Sequence, residues 1–118
     1  MEKKSILKIK SYNFAIRMVR LTQLLQKDKS EYVLSKQIMR SGTAIGALVR
    51  EAEFGQSKSD FVHKLSIALK EANESDYWIS LLYDTDYIDK ALYDSLLADC
   101  KELIAILVSS VKTIKSQL

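Results

Sequence analysis

Proline is absent from this chain, and glycine occurs only at positions 42, 46 and 55. A sheet protein needs turn residues at every reversal, whereas a few long helices need almost none, so an all-α fold is expected. The single cysteine, Cys100, excludes an intramolecular disulfide and fits a reducing compartment. Long apolar runs are missing too. The longest, Leu103 to Val108, is far short of the roughly 20 residues that span a bilayer. The start, Met1-Glu2-Lys3-Lys4-Ser5-Ile6-Leu7-Lys8, is basic but has no apolar stretch long enough for a signal peptide. These absences point to a cytoplasmic protein with no membrane partner.

What remains is an ordinary globular composition, 28% charged and 47% apolar, in 118 residues, which leaves room for one domain. Apolar periodicity predicts four helices, at about 5–26, 31–54, 58–83 and 89–116. The first carries two apolar rows, Ile9-Tyr12-Ile16-Val19 and Leu7-Phe14-Met18-Leu21-Leu25, before a polar run, Lys27-Asp28-Lys29-Ser30, that reads as a loop. The second turns Leu34, Ile38, Ile45, Val49 and Ala52 inward. Its Gly42 and Gly46 share a face on which a neighbouring backbone could come close. Gly55-Gln56 is expected to end this helix. Ser57 to Asp60 reads as a capping box, with the serine accepting from the Asp60 amide and the carboxylate reaching the Ser57 amide.

The third helix has the cleanest register, Phe61, Leu65, Ala68, Ala72, Ser75, Ile79 and Leu82. Asp89 is the expected N-cap of the fourth, whose seam is Tyr93, Leu96, Cys100, Leu103, Leu107, Ser110 and Ile114. Short connections make consecutive helices antiparallel neighbours in an up-down four-helix bundle. The run from Leu103 to Val108 is apolar around the whole helix. A helix of that kind needs cover on every side, and the first helix carries two apolar rows. Homo-oligomerisation through the first and fourth helices is therefore expected, with Ile104, Ile106 and Val108 as candidate contacts; the alternative is a monomer with an unusually apolar surface.

Catalytic and metal-binding patterns are not found in the sequence. One histidine, His63, cannot supply the two Glu-x-x-His pairs of a di-iron bundle, and Asp60 stands three residues before it. Helical ribonucleases with an arginine four to six intervening residues before a histidine are not matched, since Gln56, Ser57 and Lys58 occupy those positions. One Cys and one His make no zinc set, and no Gly-rich phosphate loop is present. Asp84, Asp86 and Asp89 lack the glycine and terminal glutamate of a calcium loop. A non-enzymatic protein without cofactor or metal is expected. Cys100 reads as core and His63 as a surface or interface residue. Of Tyr77 and Trp78, one should be packed and the other partly exposed, in a core or interface role or as a platform for bases.

Charge is unevenly divided. Residues 1–59 hold 12 Lys/Arg against 5 Asp/Glu, and residues 60–118 hold 6 against 10. Lys3, Lys10 and Arg17 are seven apart, with Arg20 and Lys27 on an adjoining line. In the second helix Lys36, Arg40 and Arg50 follow a row through Thr43 and Ala47. Seven residues are almost two turns, so each row marks one helix face. Such rows suit a phosphate backbone, with Lys10, Arg17, Arg20, Lys36, Arg40 and Arg50 as the candidate contacts. They equally suit a solvated face, or pairing with acidic residues of the third helix such as Glu71 and Glu74 in a neighbouring subunit. The uneven charge as a whole also fits attraction between a basic and an acidic helix pair within the fold.

The segment Ser35-Lys36-Gln37-Ile38-Met39-Arg40-Ser41-Gly42-Thr43-Ala44-Ile45-Gly46-Ala47, then Glu51-Ala52, then Ser59 to Ala72 and Glu74-Ser75-Asp76-Tyr77-Trp78, resembles the bacterial 23S ribosomal RNA intervening-sequence proteins. The resemblance spans nearly the whole chain. It implies an up-down bundle assembled as a homopentamer and related to the accessory protein of diversity-generating retroelements, which looks like a basic pentamer engaging nucleic acid. It implies no catalytic residue. The family's Asn-x-Ala-Glu-Gly segment reads here Leu48-Val49-Arg50-Glu51-Ala52, in which only Glu51 matches. The expected function is therefore a homo-oligomer that binds structured RNA or a ribonucleoprotein, with a protein-interaction scaffold as the alternative.

Overall fold

The computed structural model describes residues 3–118, with side chains from Ile6 onward. Met1, Glu2 and the side chain of Lys3, first member of the seven-residue basic row, lie outside the described residues. Four helices follow one another: α1 (Lys3–Lys29), α2 (Leu34–Glu53), α3 (Lys58–Asp84) and α4 (Lys90–Lys115), with no strand among the described residues. They form a bundle 46 × 22 × 21 Å, its long axis made of 27-residue helices of about 40 Å, at about 1.5 Å per residue, and of the turns beyond their ends. α1 packs on α2 and α4, and α3 packs on the same two; the α1/α4 seam is the loosest of the four.

The core is built from the predicted registers. Phe14, Met18 and Leu25 of α1, Ile38 and Ile45 of α2, Leu65, Ile79 and Leu82 of α3, and Leu96, Leu103 and Leu107 of α4 are fully buried. Phe61 is only partly buried, and its neighbour Val62 takes the inward position. Small residues set how close the helices come. A Cβ on Gly46 would lie 3.2 Å from the Ser11 carbonyl oxygen, and one on Gly42 only 2.2 Å from Met18 Cγ. Ser41 and Ser75 meet at 3.0 Å inside the α2/α3 seam. Cys100 donates to the Ala72 carbonyl at 3.2 Å, and burial pushes its thiol up to about 12, so the group stays protonated and inert.

Helix ends depart from the sequence reading in four places. The polar run 27–29 continues α1 as helix instead of forming a loop, and the chain turns at Ser30, whose φ is 52°. Glu31, expected as the first residue of the second helix, lies ahead of it as a cap: its carboxylate accepts from the amides of Val33, Leu34 and Ser35 at 3.2, 3.0 and 2.7 Å. Gly55 does not take a positive φ, and its value is close approach, since a Cβ would stand 3.2 Å from the Ala52 carbonyl oxygen. At α3, Ser57 accepts from the Asp60 amide at 3.1 Å, but the Asp60 carboxylate reaches the Gln56 amide, one residue earlier than expected. Asp89 caps α4 by accepting from Leu92 at 2.8 Å. The turn before it is a Schellman motif with Asp86 at φ 67°, closed by the bonds Tyr87 N–H to Leu82 and Asp86 N–H to Tyr83.

Candidate nucleic-acid interface

Helix geometry sorts the six predicted cations into two groups. Lys10 and Arg17 lean from α1 toward α4. Lys10 pairs with Glu102 at 3.1 Å, and Arg17 pairs with Asp99 at 2.6 Å while also donating to the Ser95 hydroxyl and carbonyl. Arg40 leans from α2 toward α3, where it holds Glu71 at 3.3 Å and also Glu74. Glu74 in turn accepts from the Trp78 indole at 3.0 Å, so Trp78 packs while Tyr77 is exposed. Attraction between the basic and acidic halves is thus realised within one chain. These pairs are half-exposed, and each contributes at most about 1 kcal/mol.

Arg20, Lys36 and Arg50 form the second group. All three are exposed, and none has a carboxylate partner among the described residues. Arg20 borders a shallow depression with Leu24 and Leu92. Arg50 instead stands over the Tyr12 ring, 5.7 Å from its centroid. Lys27, near the end of α1, is exposed as well, and Arg20 lies on the α4 side of α1, whereas Arg50 lies between α1 and α2. The outer side of the α1–α2 hairpin carries no acidic residue from position 3 to 27 or from 34 to 50. The carboxylate that lines the groove beside Arg50, Glu51, is held by Lys64, so these cations keep their charge available to a polyanion.

The candidate oligomer contacts on α4 occupy different surroundings. Ile104 and Ile106 are half-buried and packed against the core, and Val108 is 41% exposed. The larger uncovered apolar surface lies on α1, where Ile9 is 48% and Ile16 is 38% exposed.

The family model of the 23S rRNA-intervening sequence proteins matches residues 3–109. The chain belongs to this family. A solved protein of unknown function from the S23 ribosomal protein family of Bacteroides thetaiotaomicron is similar over 94% of this chain and 99% of its own. The two are 50% identical, with a TM-score of 0.93. No curated protein matches. In this intervening-sequence protein the divergent segment 48–52 lies late in α2. Val49 and Ala52 are buried there, Arg50 has no carboxylate partner among the described residues, and Glu51 is tied to Lys64 at 3.1 Å.

Sequence reasoning overlooked two residues of the surface, Tyr12 and Phe54, which are 55% and 80% exposed. Tyr12 belonged to one of two apolar rows on α1. At 3.6 residues per turn the rows fall on roughly opposite sides of the helix, so only one could face a single core. That angular separation was the available signal. Phe54 follows the last residue of α2, and nothing in its spacing marks it as exposed.

Proposed function

We propose that this chain is a non-enzymatic, cytoplasmic RNA-binding protein that works as a homo-oligomer and contacts RNA phosphates through the outer side of α1 and α2. The observation that carries the reading is that Arg20, Lys36 and Arg50 are exposed with no carboxylate partner among the described residues, on helix segments 3–27 and 34–50 that hold no acidic residue. The family's description, which refers to an intervening sequence of 23S rRNA, makes ribosomal RNA the first ligand to try. A homopentamer is the assembly that the family resemblance implies.

The test is fluorescence anisotropy of nuclease-treated protein against a labelled ribosomal RNA hairpin across a range of salt. Binding should weaken steeply with salt, and the triple variant Arg20→Gln, Lys36→Gln, Arg50→Gln should lower the log–log slope by about one per residue. Arg17→Gln, whose cation is engaged by Asp99, should change the slope far less. No binding at low salt would overturn the reading.

A protein-interaction scaffold is the second reading. It is favoured by the engagement of Lys10, Arg17 and Arg40 within the chain and by the uncovered Ile9 and Ile16. It predicts that the glutamine substitutions leave RNA irrelevant and alter assembly.

A further inference from the structure

Between α1 and α2, on the same outer side, runs a groove of about 450 Å³. Its floor is made of small residues, Ala15, Gly46 and Ala47, because α2 meets the α1 backbone closely at Gly46. Its walls are two exposed aromatic rings, Tyr12 and Phe54, with the Arg50 guanidinium over the first. The lining carboxylate, Glu51, is held by Lys64, and the Lys8 ammonium is held by Glu53 at 3.3 Å. Among the described residues, Arg50 is therefore the charge at the groove that has no ion-pair partner.

Exposed aromatic faces beside an unpaired arginine form a stacking platform next to a phosphate contact. We propose that this groove holds an unpaired RNA base stacked on Tyr12, with Arg50 on the adjoining phosphate. This rests on the RNA-binding reading above and narrows it to single-stranded segments. A paired base keeps both faces inside its own stack and has none to offer Tyr12. Selectivity among the four bases is slight, because the floor presents methyl groups and the Thr43 hydroxyl, which already donates to the Met39 carbonyl at 2.6 Å. Every base has a π face, and little else in the groove reads its edges.

Two labelled RNAs of equal length, one single-stranded and one a blunt duplex, separate this inference from the reading it rests on. The single strand should bind more tightly. Tyr12→Leu should weaken single-strand binding about tenfold, the loss of one stacked base, while leaving duplex binding and molar mass unchanged. Tyr12→Phe should restore the single-strand affinity. Photo-crosslinking of RNA carrying 5-iodouridine should map to Tyr12 or Phe54. Equal affinity for both RNAs, with Tyr12→Leu silent and crosslinks only elsewhere, would overturn the base slot and leave phosphate binding standing. A fall in molar mass on Tyr12→Leu, with RNA affinity following the mass, would overturn it by making the groove a contact between copies. Failure to bind either RNA would remove the RNA reading and this inference together.

Discussion

Glu31 does the work at the start of α2 that a serine or aspartate usually does. Val33, in the N-cap position, offers no side-chain acceptor, and the amides of residues 33–35 turn to the carboxylate of Glu31, a residue only 8% exposed. Burial alone would raise this carboxyl's pKa, but the three backbone N–H bonds outweigh it and hold the group below its ordinary value. The sign follows directly. A depressed carboxyl contributes stability that is present above its unfolded pKa of about 4.3 and is lost as pH falls through the folded value. Glu31→Gln should therefore cost about 1 kcal/mol near neutral pH, as other lost caps do. In thermal unfolding, the gap in Tm between wild type and variant should narrow as the solution is acidified below pH 4. A gap that stayed constant from pH 7 to pH 3 would refute the capping role.

At the scale of elements, the seams are set by what is missing from them. Gly42→Ala would gain about 1 kcal/mol of helix propensity on an exposed helix. Here the new methyl would stand 2.2 Å from Cγ and 3.0 Å from Cβ of Met18, a side chain that is fully buried. Overpacking of that kind should leave a net loss of about 1–3 kcal/mol. The loss should shrink in a Met18→Ala background, which chemical denaturation of the four proteins of the cycle would read. A stabilised Gly42→Ala protein would show that α1 and α2 are less tightly apposed than described.

The same seams explain what could be read in advance. Registers such as Leu65-Ala68-Ala72-Ser75-Ile79-Leu82 are legible because burial repeats with the helix period, and the whole series is buried. The α1/α2 junction was not, because Lys27-Asp28-Lys29 has loop composition, and its helical state depends on a turn at Ser30 and a cap supplied by Glu31. For the candidate site, spacing identified the basic rows as faces. Which neighbour each face meets depends on the order and hand of helices around the bundle, which periodicity does not carry. That is why Arg17 and Arg40 could not be told apart from Arg20 and Arg50 by sequence alone.

For the whole molecule, the question is what covers α1. Leu7, Phe14, Met18, Leu21 and Leu25 fill its inner row, and the opposite row leaves Ile9 and Ile16 to solvent. The circumferential apolar run of α4 is largely satisfied inside the bundle, through Ile104 and Ile106, so the demand for a partner falls on α1 more than on α4. Burying an isoleucine contributes about 1.5–3 kcal/mol, and a ring of copies would repeat the gain at every contact. Light scattering at tens of micromolar should give a multiple of the 13.5 kDa chain mass, five-fold for a pentamer. Ile9→Lys with Ile16→Lys should reduce it to one chain without unfolding, since neither side chain belongs to the core. Val108→Lys should have the smaller effect. A wild-type mass of 13.5 kDa would mean that this surface stays wet and that RNA binding rests on a single hairpin face. In that case the salt dependence of binding would be limited to the few phosphates that Arg20, Lys27, Lys36 and Arg50 can reach.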